Sequence, residues 1–232
     1  LIKQKIMLST SGMSAGSGKE KPVLEPGNQV VKINKITFDK TPYDADAYNV
    51  TLHVEGEPME GDFQGFLVDV NKPDGARYTG QVGRVRASQY AYKDATLPSG
   101  AEVKRDNEVM RIMIFIAEQI GKRAELDLIQ ANTIEEFMSA CNPVLSGPTY
   151  YNVCLGSREW ENTAGYMNND LFLPKRNKGN VPLESLDVED DSSKLITYDS
   201  SNKNHFKPGV KKVVAETSNF EPAKTVGDDF DL

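Results

Sequence analysis

Side chains able to do covalent or metal chemistry are few. The 232 residues include only two His and two Cys, so a Ser-His-Asp or Cys-His arrangement would have to be built on His53 or His205. His205 stands in the polar run Asn202-Lys203-Asn204-His205, and no His-x-x-x-His or similar spacing offers a metal site. Cys141 and Cys154 form neither a paired Cys-x-x-Cys site nor a disulfide framework, and read as two reduced thiols of a cytosolic protein. The run from Gly12 to Lys19 resembles a phosphate loop in composition only. Five residues rather than four separate Gly12 from Gly18, and Glu20 stands where the magnesium-binding hydroxyl belongs. Carboxylates are plentiful enough to leave a two-carboxylate hydrolase open, but Glu102, Glu108 and Glu118 fit the exposed side of a helix. This shortage of activated groups points to a protein that binds rather than catalyses, with no cofactor or metal.

Binding chemistry is better supplied. Single-stranded nucleic acid is held by aromatic rings that stack on bases and by Lys and Arg that follow the phosphates, and two stretches interleave these types. The first holds Arg77, Tyr78, Arg84, Arg86, Tyr90, Tyr92 and Lys93; Arg84 and Arg86, two apart, share a face if the segment is extended. The second holds Arg158, Trp160, Tyr166, Lys175, Arg176 and Lys178. Each residue also has a structural reading: Arg and Tyr are ordinary on the solvent face of a strand, and Trp160 or Tyr166 can belong to a core.

Charge distribution supports the binding reading more than the net charge of −7 does. Residues 184–232 carry eleven acids against six lysines, leaving the first 183 residues close to neutral, and residues 71–93 hold five basic residues against the single acid Asp74.

The elements that position these residues follow from periodicity. Residues 1–27, rich in Ser, Gly and Lys, read as a flexible arm, with too few apolar residues in 1–8 for a signal peptide; nowhere do ~18 apolar residues run together. A strand is expected through Val31, Ile33 and, after a phase slip, Ile36 and Phe38. A second runs through Tyr48, Val50, Leu52 and Val54, with His53 on its polar face. A third spans residues 66–70, and the loop 71–75 leads into a fourth extended segment, 81–92, as a hairpin. Val109, Ile112, Met113, Ile116 and Ile120 then recur at helical spacing, stopped by Gly121. Thr133-Ile134-Glu135-Glu136 has the capping-box form, opening a second helix that Asn142-Pro143 should end. Strands resume at Tyr151, Val153 and Leu155, and at Leu171-Phe172-Leu173. The expected fold is therefore mainly β with a helical block at 101–141: an OB-like Greek-key barrel over residues 28–183, with the helix between strands 3 and 4, followed by an acidic, partly disordered tail over 184–232. Other small barrels share much of this order.

The ending Gly227-Asp228-Asp229-Phe230-Asp231-Leu232 resembles the acidic tip, with a terminal hydrophobe, of bacterial and bacteriophage single-stranded-DNA-binding proteins. The general layout, and Gly165-Tyr166 leading to Leu171-Phe172-Leu173-Pro174-Lys175, is more similar to the phage members. The chain departs from the bacterial pattern, which closes on Pro-Phe. The resemblance implies sequence-nonspecific binding of single-stranded DNA in replication, recombination or repair, in a host bacterial cytoplasm. It also implies that Asp228, Asp229, Phe230, Asp231 and Leu232 recruit partner proteins. The alternatives are a phage structural or assembly protein whose arm and tail contact neighbouring subunits, including as a homo-oligomer, and a carbohydrate-binding module on the same barrel.

Overall fold

The computed structural model describes residues 21–60, 77–189 and 191–209. Two long antiparallel strands, β1 (Gly27–Thr41) and β2 (Asp44–Gly56), are joined at Pro42-Tyr43. Along β2 the alternation of the sequence becomes an inside and an outside: Val50, Leu52 and Val54 are buried, and His53 between them is half-buried on the other face. In β1 the phase slip is a register shift between Ile33 and Lys35, which lets Val31, Ile33 and Ile36 all face the core. Asn142 stabilises the irregularity from the helical side, its Oδ1 accepting the Ile36 N–H at 2.8 Å.

β3 (Val82–Arg86) pairs with β2 and ends at Arg86, six residues before the expected end of that segment. Beyond it the chain turns through Ala87–Tyr90, and only Tyr92 returns to the sheet, through a bridge to Tyr48. The expected strand at 66–70 and its loop at 71–75 lie outside the described residues. A two-stranded ribbon, β4 (Ala95–Thr96) with β5 (Glu102–Val103), leads into α1 (Arg105–Gln119), the one-turn α2 (Arg123–Leu126) and α3 (Ile134–Leu145). α1 buries Val109, Met113, Ile116 and Ala117, and Gly121 ends it with a φ of 71°, a left-handed conformation suited to glycine. Thr133 Oγ1 caps α3 by accepting the Glu136 N–H at 3.1 Å, while the Glu136 carboxylate reaches back to the Asn132 N–H at 2.9 Å.

Pro143 does not end α3. Its ring removes one backbone donor near the helix end, but the buried Leu145 and the Ser146 N–H bonded to the Asn142 carbonyl at 3.0 Å carry the last turn past it.

β6 (Tyr150–Glu161), β7 (Met167–Phe172), β8 (Leu183–Ser185) and β9 (Phe206–Lys207) complete the sheet. Its order is β1-β2-β3-β7-β6-β8, with β9 also on β6. β3 and β7 are parallel, and residues 27–32 of β1 pair with residues 150–155 of β6, so the pairings lead from β1 around to β1 again. The molecule is mainly β, with its helices inserted between β3 and β6.

Two segments are more ordered than their composition suggests. Leu24, inside the expected arm, is buried in the core, and its neighbour Val23 bridges to Val82. Residues 184–209, read as the start of a tail, supply part of β8 and all of β9, and bury Glu184, Ile196 and His205. Gly156 permits this docking: a Cβ there would stand 2.8 Å from the Phe172 ring and 2.9 Å from the His205 carbonyl oxygen.

Candidate nucleic-acid interface

Because Val50, Leu52, Val54 and Val85 point inward, the residues between them form one outward face. The ladder register then lines up charges that are far apart in sequence. Lys35 on β1 stands opposite His53 on β2, and His53 opposite Arg84 on β3. The parallel pairing of Val85 with Leu171 puts Arg84 beside Asp170 of β7, and Asp170 is opposite Arg158 of β6. Lys207 of β9 continues the row as the register partner of Arg158.

Arg84 and Arg86 share this face, as their spacing requires, but play different parts. The Arg86 guanidinium is paired with Asp170 at 2.7 Å, whereas Arg84, Lys35 and Arg158 have no ion-pair partner among the described residues. Trp160, two residues after Arg158, donates its indole N–H to the other Asp170 oxygen at 3.1 Å and remains 45% exposed. It is a surface ring held in place by a carboxylate, not a core residue. At the centre of the row the His53 imidazole lies 3.3 Å from the Thr37 hydroxyl. Burial, then Arg84 and Lys35, push its pKa down, against a smaller opposing pull from Asp39, so the ring favours its neutral form.

The start of β3 is held by a buried carboxylate. Glu55, 2% exposed, accepts hydrogen bonds from Asn34 Nδ2 at 3.1 Å and from the Thr79 N–H at 3.1 Å, and pairs with Lys32 at 3.0 Å. Thr79 and Gly80, which its other oxygen also contacts, lead directly into β3 and so set where Arg84 and Arg86 emerge.

A second gathering forms where the parallel strands β3 and β7 leave the sheet at the same end. Residues 87–92, residues 173–176 and α1 enclose a groove of about 480 Å³. Tyr90, Lys175, Arg176 and the Arg111–Glu108 pair line it above an apolar floor that includes Ile112 and Phe115. The Arg176 guanidinium lies 5.5 Å from the Phe115 ring centroid, and Lys207 Nζ lies 5.0 Å from that of Tyr90. Tyr92, expected as a stacking ring, is instead packed against the core, where burial drives its hydroxyl pKa upward.

The remaining expected residues are dispersed. Lys93 faces Asp44 at 3.3 Å in a cleft of mixed charge with Lys40, Asp46, Asp94 and Arg105, where the Arg105 guanidinium lies 4.4 Å from the Tyr48 ring centroid. Lys178 occupies the tight turn between Asn177 and Asn180 with a φ of 49°. Tyr166 is 71% exposed in the turn between β6 and β7. Arg77 and Tyr78 lie on the stretch before β3, both already engaged in other interactions, and Asp228, Asp229, Phe230, Asp231 and Leu232 lie outside the described residues. The two sequence clusters are thus exchanged in space: Arg84 and Arg86 join Arg158 and Trp160 on the sheet, while Tyr90 joins Lys175 and Arg176 in the groove. Lys35, Asp170 and Lys207 carry no signal in the sequence; His53 is legible there only as a scarce histidine on a polar face, and register alone shows what it faces.

Among the described residues no cluster of His, Cys, Asp or Glu could hold a metal ion. His205 serves the loop before β9, its Nδ1 accepting the Asp199 N–H at 3.1 Å. No helix among the described residues is long and apolar enough to cross a membrane. No family model, curated protein or solved structure matches the chain.

Proposed function

We propose that this chain is a non-enzymatic, sequence-nonspecific single-stranded-DNA-binding protein whose sheet is an OB-like Greek-key barrel. The order of pairings supports the barrel: five strands in the cyclic order β1-β2-β3-β7-β6, a parallel β3–β7 contact, and helices between β3 and β6, the third and fourth of the five in chain order. In OB-folds the face of strands 2 and 3 and the loops after strands 1 and 4 bind oligonucleotides. Here those places hold His53 and Arg84, the exposed Tyr43 and the exposed Tyr166.

The observation that carries the proposal is the row Lys35, His53, Arg84 and Arg158, crossed on β7 by Asp170 whose charge Arg86 offsets, beside the exposed ring of Trp160. At ~4.8 Å between neighbouring strands, the row runs roughly 19 Å along the curved outer surface from β1 to β6, enough to follow several phosphates around it. The unpaired charges of Lys35, Arg84 and Arg158 supply affinity for any backbone, and a base of any identity stacks on an indole, so the site reads no sequence. DNA replication, recombination or repair is the setting that fits this chemistry, with Asp228–Leu232 recruiting protein partners. The test is a titration of fluorescently labelled oligo-thymidylate at several salt concentrations, following Trp160 emission alongside. Binding should exceed that of duplex DNA, weaken steeply with salt and quench the indole. Equal binding of duplex, or no binding of single strands at low salt, would overturn the assignment.

A further inference from the structure

The groove between the β3 and β7 exits and α1 shares neither strand face nor loop with the row on the sheet, yet a cation joins them. Lys207 stands in register with Arg158 at one end of the row, and its ammonium lies over the Tyr90 ring and donates to the Tyr90 hydroxyl at 3.4 Å at the rim of the groove. Lys175 and Arg176, which also line the groove, have no ion-pair partner among the described residues, whereas Arg111 is paired with Glu108. Tyr90 is 63% exposed. An apolar floor beside the net positive charge of Lys175 and Arg176 suits a flat ring attached to an anion better than an apolar peptide, and about 480 Å³ is ample for one base with its sugar.

We propose that the groove is a second nucleotide subsite: a single strand crossing the sheet's outer face continues past Lys207 and seats a base against Tyr90 and the floor, with the adjoining phosphate on Lys175 and Arg176. This rests on the reading of the sheet face as a single-strand site. It makes affinity depend on strand length in a way the sheet alone does not, because a short oligomer satisfies the row and only a longer one reaches the groove.

The experiment compares oligo-thymidylates of about 5 and about 20 nucleotides on the full chain and on two variants, Tyr90→Ala and the double variant Lys175→Ala/Arg176→Ala. All three side chains are exposed, so both variants should fold, and their melting curves check it. Each variant should lose about tenfold or more in affinity for the long oligomer and bind the short one as the unmodified protein does. Unchanged affinity for both lengths overturns the subsite while leaving the sheet reading intact. Tighter binding of the long oligomer by a variant also overturns it, since the groove would then be holding an acidic segment that competes with DNA. Failure of the unmodified protein to bind either length overturns the sheet reading and the subsite together.

Discussion

Glu55→Gln tests the support beneath the candidate face. The carboxylate is an acceptor only, and the groups around it all donate: Asn34 Nδ2, the Thr79 N–H and hydroxyl, the Gly80 N–H and the Lys32 ammonium. Glutamine keeps the shape but turns one oxygen into an NH₂ that must face another donor, and it leaves Lys32 without its counter-charge. Breaking a buried pair costs about 3–5 kcal/mol, and the partial exposure of Lys32 places this case near 3. Backbone packing leaves little room for adjustment, because a Cβ on Gly80 would stand 2.2 Å from the Gly56 carbonyl oxygen. For a chain of this size each kcal/mol moves the melting temperature by about 2–4 °C, so the variant should melt roughly 6–12 °C lower at neutral pH.

The pH dependence carries a definite sign. Burial alone would raise the Glu55 pKa, but the Asn34 and Lys32 hydrogen bonds, the Lys32 charge and the Thr79 N–H together outweigh it and hold the carboxyl below its ordinary value. A folded-state pKa below the unfolded one means a contribution that is complete above the ordinary carboxylate range and lost as pH falls through the lowered value. Thermal unfolding followed by circular dichroism along an acid titration should therefore show the unmodified protein losing stability more steeply than Glu55→Gln. A variant that melts within about 2 °C of the parent at neutral pH, or with the same acid slope, would refute the account of Glu55 as an ionised clasp.

Trp160→Ala should cost about 1–3 kcal/mol of oligo-thymidylate binding. With the ring 45% exposed, the same change should cost less than about 3 kcal/mol of stability, so a larger loss of stability with unchanged binding would count against a stacking role. Arg84→Ala and Arg158→Ala should each reduce the slope of log affinity against log salt by about 1, and an unaltered slope would remove that residue from the phosphate track. His53 favours the neutral ring at neutral pH, so affinity should rise as acidification charges it and His53→Gln should flatten the rise; parallel pH profiles would refute its place in the row. Burial pushes the Cys141 thiol up to about 12 and the Cys154 thiol up to about 11, so both should resist alkylation at pH ~8 until the protein unfolds, and rapid labelling of the native state would contradict that burial.

How far the fold can be read in advance depends on how local its signals are. The alternation of Tyr48, Val50, Leu52 and Val54, the helical spacing from Val109 to Ile116 and the Thr133 cap are each written within a few residues, and each appears, although Thr51 and Glu55 on the polar face of β2 are buried as well. Pro143 misleads because a proline late in a helix removes little when Leu145 is buried beyond it. Residues 184–209 mislead for a related reason: their composition is polar, but the free positions along β6 and the close approach that Gly156 allows reward docking that composition does not reveal. At the candidate site, residue types were legible and neighbours were not. That Arg84 would meet Asp170 and Arg158 rather than Tyr90 follows from a parallel register between strands separated by the whole helical block, a relation no window of sequence contains.

That long-range register also governs the order in which the molecule can assemble. During synthesis β1 and β2 can form a hairpin at once, but residues 27–32 of β1 pair with β6, which emerges roughly 130 residues later. At about 5–20 residues per second the strand waits some 6–26 s with its hydrogen-bonding edge open. Asn28 waits longer still, its side chain donating to the carbonyl of Ile196, 168 positions away. The waiting edge reads Gly27-Asn28-Gln29-Val30-Val31-Lys32, half of it polar and ending in a charge, and that terminal Lys32 discourages pairing with another nascent chain. A chain cut before β6 would keep that edge open permanently.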